Sequence, residues 1–101
     1  MEENMFARVV TIQGKPDKVD DAIRFMKEQV NPNLRNLAGS KGTYTLVDRK
    51  SGKTVVVALW ETEKNLTDSL PVTAPFRANA AKILGDPNPP TVEHFEVALQ
   101  P

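Results

Sequence analysis

At 101 residues the chain has the length of one domain. Its 13 basic side chains are matched by 13 acidic ones, which removes the cationic excess that drives non-specific nucleic-acid binding. It has no cysteine and one histidine, so disulfide scaffolds, thiolate catalysis, Cys-ligated zinc or iron–sulfur centres and multi-histidine metal sites are excluded. No apolar run approaches the roughly 18 residues of a membrane span, and residues 1–15 lack the apolar centre of a signal peptide. The expectation is a soluble, cytoplasmic single domain over residues 1–101. It binds neither nucleic acid nor membrane, and its residues ask for no metal and no cofactor.

Met5–Ile12 is apolar and carries β-branched residues from Val9 to Ile12, the pattern of a strand. Both of its faces are largely apolar, one formed by Phe6, Val10 and Ile12 around Arg8, the other by Met5, Ala7, Val9 and Thr11. Gly14-Lys15-Pro16-Asp17 opens a helix, with Pro16 in its first turn and Asp17 at the positive end of its dipole. Val19, Ala22, Ile23, Met26 and Val30 recur at helical spacing. Pro32 is expected to kink or end this helix near Asn31, with a further turn through Leu34 and Leu37 and a close at Ala38-Gly39. Gly42–Asp48 and Lys53–Trp60 read as a hairpin joined by Arg49-Lys50-Ser51-Gly52. Thr62 caps a short helix over Glu63–Leu70, which Pro71 is expected to break. Thr73 is expected to cap the next helix, with Pro75 in its first turn, Phe76, Ala80, Ile83 and Leu84 as its buried stripe, and Gly85 at its end. After the stiff Asp86–Pro90 connector, Thr91–Leu99 reads as the last strand.

The order β-α-β-β-α-β fits an α+β, ferredoxin-like sandwich, a four-stranded antiparallel sheet with helices on one face. That arrangement leaves one sheet face bare, yet both faces are apolar. A bare apolar sheet face marks an interface, and a second copy placed sheet to sheet about a two-fold axis covers it most simply. The sequence therefore predicts a homodimer.

Val55-Val-Val-Ala-Leu-Trp60-Glu-Thr-Glu-Lys-Asn-Leu66 resembles the strand–Trp–helix junction of the dimeric α/β-barrel superfamily, and more narrowly the antibiotic-biosynthesis monooxygenase domain. Phe76-Arg77-Ala78-Asn79-Ala80 resembles the helix that follows, and the resemblance extends over nearly the whole chain. It implies a dimeric α/β barrel. It also implies one of several activities: cofactor-independent oxygenation of polycyclic aromatic or quinol substrates, haem degradation, or isomerisation of small phosphorylated molecules. The Asn, Trp and His of the haem-degrading branch map near Arg8, at Ser69 and near Ala80. With no histidine at the last of these, no imidazole is offered to haem iron, so haem degradation is not expected.

Two side chains are candidates for chemistry. His94 belongs to the residue type that titrates near neutrality; it serves either as a general base toward a phenolic substrate or as a half-exposed strand residue among Glu93 and Glu96. Arg8 interrupts an apolar face, where a guanidinium needs an anion; it holds either a substrate oxyanion or an internal carboxylate such as Glu93. Tyr44, Trp60 and Phe76 are candidates for stacking on a flat substrate, with core packing the competing role for Trp60. Thr73 and Asn79 are candidates for lining a cleft between the last helix and the sheet, whereas Asn65, Thr67, Asp68 and Ser69 read as surface. The leading functional reading is a cofactor-independent monooxygenase for a small aromatic or quinol-type molecule. The alternative is a non-catalytic dimeric module that binds a small molecule or serves a structural role.

Overall fold

The computed structural model describes residues 4–101. Strands β1 (Phe6–Gln13), β2 (Ser40–Val47), β3 (Lys53–Trp60) and β4 (Thr91–Glu96) form one sheet in the order β2-β3-β1-β4. Every neighbouring pair is antiparallel. Helices α1 (Val19–Phe25), α2 (Asn31–Arg35) and α3 (Glu63–Leu84) complete the α+β sandwich expected from the sequence.

Two core clusters lie between the sheet and the helices. One joins Val10 and Ile12 to Val19, Ala22, Ala80, Ala81 and Leu84. The other joins Ala58 and Trp60 to Met26, Val30, Leu34 and Leu66. The single-residue alternation of β1 and β3 decides which residues enter these clusters. Arg8, Val10, Ile12, Thr54, Ala58 and Trp60 are buried toward the helices. The registers Ala7↔Leu59, Val9↔Val57 and Thr11↔Val55 put these six residues on the far face. Tyr44 and Leu46 join that face from β2, and Phe95 joins it from β4. They are 62%, 53% and 49% exposed. The far face is thus apolar and carries no helix.

Pro32 acts differently from an ordinary helix stop. The turn before it, Met26–Val30, is a π-turn in which the Asn31 N–H reaches back five residues to the Met26 carbonyl. A wider turn makes room for the pyrrolidine ring and accommodates its missing donor, so the helix continues as α2.

The expected break at Pro71 does not occur. Helix α3 runs unbroken through Pro71 and Pro75. Each proline removes one backbone donor, but side chains supply donors in the same stretch. The Ser69 hydroxyl donates to the Leu66 carbonyl (2.6 Å), Thr73 donates to Ser69 (2.8 Å) and Arg77 Nη2 donates to Leu70 (3.1 Å). Thr73 is therefore a mid-helix residue and not a cap. Thr62 does cap the helix, accepting from the Asn65 N–H at 3.1 Å. Gly85, at φ 78°, ends it as expected, and the Asp86 N–H closes back on the Ala81 carbonyl at 3.1 Å. Strand β4 ends at Glu96, short of the expected Leu99, and all six of its residues are exposed, because the helices reach only as far as β1.

Gly14 and Gly52 are the tightest backbone approach. The Gly14 N–H donates to the Gly52 carbonyl at 3.2 Å. A methyl group on Gly14 would stand 2.5 Å from Leu84 Cδ2 and 2.9 Å from that carbonyl oxygen. Gly52 sits at φ 82° in the hairpin turn, which favours glycine.

Candidate functional site

The two core clusters do not close completely, and a cleft opens between them. Its floor is Arg8, Val10 and Ile12 of β1 with Val56 and Ala58 of β3. Met26, Val30 and Leu34 form one wall, and Thr73, Phe76, Arg77 and Ala80 of α3 form the other. About 410 Å³ of empty space lies among these side chains, continuous with solvent, and only about 40 Å³ of it is wide enough for the centre of a water-sized atom. The cleft is therefore a narrow slot, and a ring-sized ligand enters only if the walls part.

The walls differ in chemistry. Met26, Val30 and Leu34 recur every four residues across the π-turn and present only apolar atoms. On α3, Ser69, Thr73 and Arg77 recur at the same spacing and present polar ones.

Arg8 occupies the centre of the site. It is 2% exposed. Its Nη1 donates to Ser69 Oγ at 2.7 Å, and its guanidinium lies 5.3 Å from the centre of the Trp60 ring, within cation–π range. Among the described residues no carboxylate lies within ion-pair distance of it or of Arg77. Burial, and next the nearby charge of Arg77, push the Arg8 pKa down from its ordinary value to about 10. Arg77 is also lowered by burial; its Nη1 donates to Thr73 Oγ1 at 2.6 Å. Two cations thus meet at one apolar slot with neutral hydroxyls and carbonyls as their partners. Such a site costs folding energy while empty and favours a bound anion.

The sequence-predicted residues divide clearly. Arg8, Phe76 and Thr73 line the cleft. The expected alternative for Arg8, a pair with Glu93, is not formed, because Glu93 pairs in register with Val9 and faces the other side of the sheet. His94 is the direct cross-strand neighbour of Arg8 and shares its sheet face, but it is exposed and lies outside the lining. Trp60 is fully buried and belongs to the core cluster that also holds Met26, Val30, Leu34 and Ala58, outside the cleft lining itself. Tyr44 stands on the far sheet face, opposite Val57. Asn79 is an exposed residue of α3 outside the lining. Ser69, read as surface, is buried. The signal for it was the Ser69/Thr73/Arg77 spacing, legible only if the helix passes through Pro71. Arg8, Ser69 and Ala80, the positions set by the resemblance, do converge: the first two are hydrogen-bonded and the third lines the cleft.

Fold and cleft together define a small α+β sandwich with a narrow slot between sheet and helices. No established protein-family profile matches the chain. Two uncharacterized proteins of Mycobacterium tuberculosis, Rv2557 and Rv2558, are 33% and 34% identical to it over 94 and 95 residues. These matches cover 93% and 94% of this chain but 41% and 39% of the relatives, so the chain spans about two-fifths of the length of the curated relatives it matches. Among solved structures, the ActVA-Orf6 monooxygenase of Streptomyces coelicolor, in complex with nanaomycin D, is similar with a TM-score of 0.77 and 20% identity, over 97% of this chain and 93% of that one. A protein of unknown function from Nitrosomonas europaea, NE2512, is similar at 0.75 and 19%, over 100% and 96%. SnoaB, a cofactor-independent oxygenase of Streptomyces nogalater, is similar at 0.59 and 20%, over 100% and 96%. The chain has the fold of the antibiotic-biosynthesis monooxygenase domains.

Proposed function

We propose that this chain acts as a cofactor-independent monooxygenase on a small aromatic or quinol-type molecule. The observation that carries the reading is the pairing of an apolar slot with Arg8 at its floor. Chemistry without a cofactor requires the substrate to give an electron to oxygen from its own carbanion, and a buried guanidinium stabilises the enolate or phenolate that precedes it. The slot keeps water away from that anion. His94, across the strand pair from Arg8, is assigned the proton-accepting role, and Phe76 the ring contact. The fold shared with ActVA-Orf6 and SnoaB supports the class of reaction, and the uncharacterized mycobacterial relatives leave the substrate open. Purified protein should consume oxygen with a dihydroxyanthracene or a related quinol, and Arg8→Met should slow the turnover at least tenfold, the effect of about 1.4 kcal/mol. Oxygen uptake no faster than the background oxidation of the quinol removes the proposal.

We further propose that two copies pair through the far sheet face, where Tyr44, Leu46 and Phe95 stand exposed beside Val55, Val57 and Leu59. Light scattering should give twice the 11.2 kDa of one chain. A particle of one chain's mass at high micromolar concentration rules the pairing out.

A further inference from the structure

The cleft has an uneven distribution of charge and of hydrogen-bonding capacity. A guanidinium carries five N–H donors. Among the described residues, Arg8 has one of these engaged, by Ser69. Arg77 has two engaged, by Thr73 and by the Leu70 carbonyl. The hydrogen bonds of the two guanidinium groups to other side chains and carbonyls of the described residues end there, and none of the residues that line the slot is acidic. Opposite them, Met26, Val30 and Leu34 offer only hydrocarbon and thioether surface. A ligand that satisfies both walls has an apolar ring on one side and a negatively charged oxygen on the other.

We propose that the cleft is a two-arginine oxyanion site: its ligand is an aromatic ring bearing an acidic oxygen, gripped by Arg8 and Arg77 together while the ring lies against Met26, Val30 and Leu34. The oxygen is that of a carboxylate or of an ionised phenol, the two sources of one chemistry. The assignment deepens the oxygenase reading by defining the charge of the substrate. It also explains why Ser69 and Thr73 are buried hydroxyls, since each fixes one guanidinium from the side of α3 without neutralising it. Either arginine alone would form an ordinary charge-assisted contact. The pair, with no acid beside it, disfavours a neutral ligand and favours an anionic one.

The test is calorimetric titration of the full chain with 2-naphthoate, its neutral isostere 2-naphthamide, and a nitro-substituted 2-naphthol above and below its ionisation, which falls near neutrality where both arginines are charged. The naphthoate should bind about tenfold or more tightly than the amide. Naphthol binding that strengthens on ionisation assigns the phenolate, and naphthol binding that ignores pH assigns the carboxylate; both support the site. Arg8→Met and Arg77→Met should each abolish the preference while still binding the amide, and Arg8→Lys should keep part of it. Circular dichroism of each variant establishes that it is folded, and Arg77→Met at the half-buried position serves if Arg8→Met fails to fold. Equal affinity for acid and amide, a preference that survives both methionine variants, or no binding by any of the three compounds overturns the proposal. Anion preference without oxygen consumption removes the oxygenase reading and keeps this one. Oxygen consumption with neutral quinols and no anion preference does the reverse.

Discussion

Replacing Arg8 by methionine separates a binding arginine from a structural one. The charge of Arg8 is held in a place that depresses its pKa from the ordinary guanidinium value to about 10, which at about 1.4 kcal/mol per pH unit corresponds to roughly 3 kcal/mol of unfavourable interaction. The cleft that Arg8 lines is continuous with solvent, and discounting for that screening leaves about 2 kcal/mol. Against this stand the bond to Ser69, worth about 1 kcal/mol net, and the contact with the Trp60 ring, worth about 0.5–1 kcal/mol. Methionine fills a similar volume without the charge. The variant should therefore match the wild type or exceed it by up to about 0.5 kcal/mol, a rise in melting temperature of no more than about 4 °C. Breaking a structural buried ion pair would instead cost about 3–5 kcal/mol. Urea denaturation followed by circular dichroism, at one fixed protein concentration, measures the difference. The sign of the pH dependence follows from the same shift. Below about pH 10 the guanidinium is charged in both folded and unfolded chains, so the difference between variant and wild type should stay flat from about pH 6 to 9. Only above about pH 10 does the folded chain release the proton first and the wild type regain stability. A loss of 2 kcal/mol or more in Arg8→Met at neutral pH would refute the reasoning and make Arg8 part of the scaffold.

The neighbouring side chains give further checks. Ser69→Ala removes both the acceptor for Arg8 and a donor to the Leu66 carbonyl; it should lower stability by about 1–2 kcal/mol, measured as a fall in melting temperature. Gly14→Ala forces a methyl group against Leu84 and the Gly52 carbonyl and should cost about 1–3 kcal/mol in a denaturant titration. Thr62→Ala deletes the α3 cap bond to the Asn65 N–H and should cost about 1 kcal/mol, with little change in oxygen consumption. Leu46→Lys places a charge in the exposed far face; it should shift a dimer toward the mass of one chain in light scattering and leave the circular dichroism spectrum unchanged.

Most of the architecture was legible because strand alternation and helical spacing are strong in this chain. Arg8 stood out because a charge interrupts one apolar face of β1, but its inward direction was not legible, because both faces of that strand are apolar. That a second apolar face exists was legible through Met5, Ala7 and Val9 on the other side of the strand. The second arginine was not. Pro71 reads as a stop when its local cost is weighed alone, and the expected break separated Ser69 from Thr73 and Arg77. The helix runs on although the prolines remove the backbone donors that would reach the Thr67 and Pro71 carbonyls, and hydroxyl and guanidinium groups bond other carbonyls of the same stretch, an arrangement that becomes visible only in three dimensions. Tyr44 illustrates a different limit. Its residue type suits a binding site, but a shift of one position in strand register exchanges the two faces of a sheet, and β2 has too few large side chains on either face to set that register from sequence.

The π-turn at Met26–Val30 makes chain length itself a dimension of the slot. Every residue of an α-helix advances the azimuth by about 100°, so removing one residue between Met26 and Leu34 would carry Leu34 out of the wall and swing another side chain into it. Length variants therefore sort by location. The exposed tip at Arg49–Ser51 has slack for an added residue, whereas the wide turn has none, and an insertion or deletion there should reshape what fits between the sheet and the helices while the sheet stays as it is.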